Sequence, residues 1–186
     1  MTRRNTMKLA MAGLLIAIGI IIPMYSPARV ILEPASFTLA SHTAIFIAIF
    51  ISPKVAIAVA AGTTIGFFLG GFPLIIVFRA ATHIIFAFVG ASYLCRVHNS
   101  LSAVKLRIFS FWIGIIHAIG EVVVVSIFFF DGNINPAHLE QGFFTSVILL
   151  IGVGSVIHSM VDFEIAHMIL IPLKKQRNIV DYFITG

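Results

Sequence analysis

Three pairs of ionisable residues interrupt the apolar stretches of this chain, each spaced i, i+4: Arg79 with His83, His117 with Glu121, and His158 with Asp162. Residues four apart share one face of an α-helix. A charge at membrane depth is costly unless it meets a partner or water, so such faces mark function. Three like-built faces on successive helices are expected to point at a common interior. There Arg79 offers a planar donor fork to an acceptor group. Glu121 accepts from a donor, and the imidazoles hold a ring by hydrogen bonds. The ligand class is a small polar aromatic or anionic solute. An internal ion-pair network, Arg79 with Glu121, is the structural alternative, and a metal or proton path is a third. His158, Asp162, Glu164 and His167 have a ligand-like composition. At 100° per residue, however, Glu164 and His167 point away from the His158–Asp162 face, and no metal is assigned.

The elements that carry these residues follow from hydropathy. Of 186 residues, 60% are hydrophobic and only 10% are charged, against about 25% charged in a soluble domain. The chain is therefore expected to be a single all-α transmembrane domain. A helical span needs about 20 mostly apolar residues, and the apolar runs predict six spans, over about 7–24, 40–52, 54–71, 74–95, 108–130 and 142–172. Ser52-Pro53-Lys54 separates spans two and three, and Gly70-Gly71-Phe72-Pro73 separates three and four. At 1.5 Å per residue, Arg79 lies about 10 Å and Glu121 about 14 Å below the outer ends of their spans, with His83 and His117 deeper. That is the picture of a pocket open to the outside. The long outer loop between spans one and two ends in Phe37, Thr38, Ser41 and His42 and is read either as a lid over it or as a simple connector.

Charge sets the orientation. With six spans, Arg3, Arg4, Lys8, Lys54, Arg96, Lys105, Arg107, Lys174, Lys175 and Arg177 fall on one side, Arg29 falls on the other, and Arg79 lies within span four. Cationic loops stay in the cytoplasm, so both ends are expected inside a cell membrane. The net charge of +5 is thus a topology signal, and nucleic acid is excluded as a partner because no polar domain presents a basic face. The first apolar stretch is read as a span and not as a signal peptide, since the same density recurs down the chain.

Small residues recur at four-residue spacing, as in Gly62, Gly66 and Gly70, which lets helix backbones approach closely. Ala10, Gly13 and Ala17 spread small side chains around span one, the candidate face for a second membrane subunit. Nothing in the sequence supports an enzyme or a cofactor. It has no nucleotide-binding Gly-x-x-x-x-Gly-Lys-Ser/Thr loop, no His-Glu-x-x-His and no Gly-x-Ser-x-Gly. Without an energy-coupling element a chain of this size needs a partner to move anything.

Several of these features together resemble the substrate-binding S components of energy-coupling-factor vitamin transporters. They are the length, the six spans, the helix-one run Ala10-Met11-Ala12-Gly13 to Ala17, the Ala40-Ser41-His42 and Ile51-Ser52-Pro53 segments, and the run Gly62 to Pro73. The last is similar to members for niacin or for pyridoxine and hydroxymethylpyrimidine. The resemblance implies high-affinity capture of a small heteroaromatic vitamin. It also implies a transmembrane coupling subunit, two cytoplasmic ATPases that bind the ATP, and a bacterial plasma membrane. In that family an Ala-x-x-x-Ala motif on helix one meets the coupling subunit. Here Gly13 and Ala17 are the nearest match, a departure from the motif. The resemblance places substrate against Arg79, His83, His117, Glu121, His158 and the first outer loop. Arg79 suits the carboxylate of nicotinate, while the His117–Glu121 pair suits pyridoxine or hydroxymethylpyrimidine equally. An autonomous metal- or proton-coupled permease is the rival expectation.

Overall fold

A computed structural model describes residues 3–32, 35–97 and 101–176. The chain forms α1 (Arg3–Tyr25), a two-stranded antiparallel hairpin of β1 (Arg29–Leu32) and β2 (Ala35–Thr38), then α2 (Thr43–Ile49), α3 (Pro53–Leu69), α4 (Leu74–Arg96) and α5 (Ala103–Phe130). After the short α6 (Pro136–Gln141), a π-helical segment (Phe144–Val153) runs directly into α7 (Gly154–Leu173). Residues 24–42, expected as a plain loop, therefore contain a hairpin with Arg29 opposite Thr38 and Val30 opposite Phe37. Four residues per strand are too few for a period-2 pattern to stand out in the sequence.

Local chemistry starts and stops these elements. Ser52 Oγ accepts from the Val55 N–H at 3.3 Å, with Pro53 in the first turn of α3. Ser102 Oγ accepts from the Lys105 N–H at 3.4 Å and opens α5. Gly71, at φ 75°, turns the chain from α3 into α4, a conformation that a side chain opposes.

The four long stretches 3–25, 74–96, 103–130 and 144–173 are each long and apolar enough to cross a membrane. The α3 helix is apolar but shorter, at 17 residues. The seven residues of α2 rise only about 10 Å. All of them are buried, and α2 packs against α1, α3, α4 and α7. It is the centre of the molecule, not part of its wall.

The inner core is aromatic. Phe46 of α2 meets Phe86 of α4 with ring centroids 5.5 Å apart, and Phe163 of α7 at 5.4 Å. Leu14, Phe78, Ile119, Ile127, Phe144 and Met168 are exposed, an apolar exterior that water would not tolerate but lipid accepts. Since lipid is as apolar as the core, van der Waals fit must hold the helices together. The α3 glycines supply that fit. A Cβ on Gly62 would stand 2.6 Å from Ile16 Cδ1, and one on Gly66 would collide with Ile20. The ridge of small residues on α3 is the groove in which α1 lies.

Candidate functional site

The polar faces of α4, α5 and α7 meet in the interior. Arg79, His83, His117, Glu121 and Asp162 are all buried, among residues that otherwise make an apolar bundle. They do so because each pair sits on one helical stripe, and the three stripes face the N-terminal end of α2.

Glu121 is the hub. Its Oε2 accepts from Arg79 Nη2 at 2.7 Å and from Ser155 Oγ at 2.7 Å. Its Oε1 lies 3.5 Å from His83 Nε2 and 3.4 Å from His117 Nε2. The His117 contact is within ion-pair range but off the axis of a hydrogen bond. Among the described residues, both ring nitrogens of His117 lack a hydrogen-bond partner, as does Arg79 Nε.

Asp162 anchors the entry to α2. Its Oδ1 accepts from the Ala40 N–H at 2.7 Å, and its Oδ2 from the His42 N–H at 2.9 Å. His42 Nδ1 is 3.0 Å from Oδ2, and Ser41 Oγ is 3.3 Å from it. Ser41 Oγ also lies 3.1 Å from His158 Nε2. The carboxylate thus acts as a cap for a chain that enters its helix through Ala40 at φ 67°.

A cavity of about 100 Å³ opens beside these groups, lined by Phe37, Ser41, His42, Arg79, His83, Glu121 and His158 among others. Phe67 and Phe72, stacked with ring centroids 4.6 Å apart, form part of its apolar wall. Phe37 lies 5.3 Å from the His158 ring. A polar side facing aromatic walls suits a flat ring with one charged or hydrogen-bonding substituent.

Of the residues singled out in the sequence, Phe37, His42, Arg79, His83, Glu121 and His158 line the cavity. His117 lies behind it, its ring centroid 4.8 Å from that of His83. Glu164 goes elsewhere: it pairs with Arg107 at 3.4 Å, with both side chains exposed. Arg177 lies outside the described residues. Ala10, Gly13 and Ala17 are exposed on the outer face of α1, and a Cβ on Gly13 would meet nothing within 4 Å. Sequence reasoning missed Ser155, although it stands three residues before His158 and so shares its face.

An apolar exterior around a buried polar cavity defines a multi-pass helical membrane protein. The niacin transporter NiaX of Lactococcus lactis subsp. cremoris (strain MG1363) is 41% identical over 162 residues, which cover 85% of this chain and 70% of that protein. No family model and no solved structure matches the chain. The chain belongs to the family of this niacin transporter, in keeping with the S components of niacin type that its sequence resembles.

Proposed function

We propose that the chain captures nicotinate from outside the cell as the binding subunit of an energy-coupling-factor importer, and delivers it with a coupling subunit and two ATPases. The observation that carries this is the buried Arg79 at the wall of an aromatic-lined cavity, with one N–H committed to Glu121 and its Nε unpartnered. A guanidinium has five donors in a planar fork, which matches a carboxylate. The pyridine ring would then lie against Phe37 and the imidazoles. The 41% identical relative is a niacin transporter, which supports the same reading.

The membrane arrangement follows the same reading. Six crossings with both ends inside are supported by the cation distribution and by the burial of α2 among four helices. Short helices and irregular backbone are tolerated at membrane depth only when protein surrounds them. The exposed small face Ala10, Gly13 and Ala17 supports docking of the coupling subunit on α1.

Calorimetry on the purified chain against nicotinate, nicotinamide, pyridoxine and hydroxymethylpyrimidine tests the cargo. Nicotinate is expected to bind, with nicotinamide weaker by about tenfold or more because a charge-assisted contact becomes a neutral one. Silence for nicotinate, or equal affinity across the four, ends the reading. Uptake into vesicles holding this chain alone would favour the autonomous permease instead.

A further inference from the structure

Four imidazoles, from the entry to α2 and from α4, α5 and α7, converge at the polar wall of the cavity. The ring centroid of His42 is 4.7 Å from that of His83, 4.6 Å from His117 and 5.1 Å from His158. One ring nitrogen from each of His42, His83 and His117 can be chosen so that all three lie within 4.8 Å of one another. All three residues are buried, and His117 is only 1% exposed. Among the described residues, neither nitrogen of His117 has a hydrogen-bond partner. A buried polar group left unsatisfied costs about 1–3 kcal/mol, so a ligand at this ring would be favoured.

The spacing suggests which ligand. Around a tetrahedral ion with bonds of about 2.0–2.1 Å, neighbouring ligand atoms stand about 3.3–3.4 Å apart, so the three imidazole nitrogens, within 4.8 Å of one another, would draw together on binding. Glu121 Oε1 stands 3.5 Å from His83 Nε2 and 3.4 Å from His117 Nε2, longer than ordinary hydrogen bonds of about 2.7–3.2 Å. The other oxygen of Glu121 is taken by Arg79 and Ser155, which leaves Oε1 turned to the imidazoles. His42 is prepared in the way metal-bound histidines are. Its Nδ1 is 3.0 Å from Asp162 Oδ2, which orients the ring and leaves Nε2 for an ion. Asp162 itself is committed to the backbone of Ala40 and His42, so a rival set of His42, His158 and Asp162 is the poorer cage.

We propose that His42, His83 and His117, with Glu121 as the fourth ligand, hold one divalent transition-metal ion of the zinc type beside the cavity. Imidazole nitrogens favour zinc, cobalt, nickel or copper over magnesium and calcium. The ion also balances charge, a point that rests on the nicotinate reading. With neutral imidazoles, Arg79 offsets only one of the two carboxylates, Glu121 and Asp162. A divalent ion makes the cluster singly positive and suited to a monoanionic solute.

The test uses the full-length chain, purified in detergent, stripped with chelator and titrated with cobalt(II) in the absence of any vitamin. One equivalent is expected to give the visible absorption of tetrahedral cobalt, which zinc then displaces. His83→Gln and His117→Ala should each abolish the band while size-exclusion profiles stay monodisperse, and His167→Ala should leave it intact. No visible band together with no competition by zinc overturns the proposal. So does a band that survives both His83→Gln and His117→Ala. Nicotinate calorimetry before and after chelation separates the two readings. Unchanged nicotinate affinity with no cobalt band removes the metal alone. A cobalt band with no nicotinate binding removes the vitamin alone.

Discussion

Glu121 and Asp162 are both buried carboxylates, on the polar stripes of α5 and α7, yet their partners differ in kind. Asp162 is fully buried, and its shortest contacts are with the backbone N–H groups of Ala40 and His42, some 120 residues away in sequence, with His42 Nδ1 and Ser41 Oγ beside them. Among the described residues Glu121 has side-chain partners alone: Arg79, Ser155, His83 and His117. A carboxylate bound to backbone fixes where the chain goes. A carboxylate bound to side chains leaves donors such as Arg79 that can turn to a solute. The Asp162 region is therefore read as architecture and the Glu121 region as the working surface.

The largest expected effect lies on the architectural side. Asp162→Ala strands the part-buried Ala40 N–H and the buried His42 N–H at about 1–3 kcal/mol each, so denaturation in detergent should report a loss of about 2–6 kcal/mol, with solute binding lost as well. Were Asp162→Ala no less stable than Arg79→Ala, the contrast between the two carboxylates would fail. Next comes Arg79→Ala, expected to weaken nicotinate binding by about tenfold or more. Its cost in stability should be smaller, because Glu121 keeps Ser155 Oγ at 2.7 Å and two imidazoles. Ala40→Gly works in the opposite direction. Ala40 sits at φ 67°, and relief of its left-handed strain should raise stability by about 0.5–1 kcal/mol with affinity unchanged. A fall in the midpoint would mean that the Asp162 clamp does not hold the backbone against strain. An effect of similar size is expected from Gly154→Ala. Its new Cβ would stand 2.7 Å from Phe37 Cζ, the far end of a ring that can tilt. An off-rotamer shift of about 0.5–1.5 kcal/mol translates into a two- to tenfold loss of affinity by calorimetry, about the limit for a ring on the rim of the cavity.

How much of this was legible in the sequence differs between the two regions. The Arg79–His83 and His117–Glu121 stripes are visible from spacing alone, as is the outer segment holding Phe37 and His42. The role of Asp162 is not, because its partners are backbone groups and the sequence carries no mark of which N–H groups a fold will strand. The hairpin of Arg29–Leu32 with Ala35–Thr38 and the π-helical stretch Phe144–Val153 were likewise invisible. The three-histidine group escaped for another reason. A metal set was sought along one helix, at His158 to His167, whereas His42, His83 and His117 come from the entry to α2, from α4 and from α5.

Composition and spacing by themselves determined that this chain faces lipid and which residues share a helical stripe. Hydropathy and the turn of a helix are properties of neighbouring residues, and neighbours are what a sequence records. Only the tertiary structure decided that α2 lies at the centre, that Asp162 holds the loop while Glu121 faces the cavity, and that Glu164 turns outward to Arg107. Those outcomes depend on which stripe packs against which, a choice made by the fit of side chains such as Ile16 over Gly62 and Phe46 between Phe86 and Phe163.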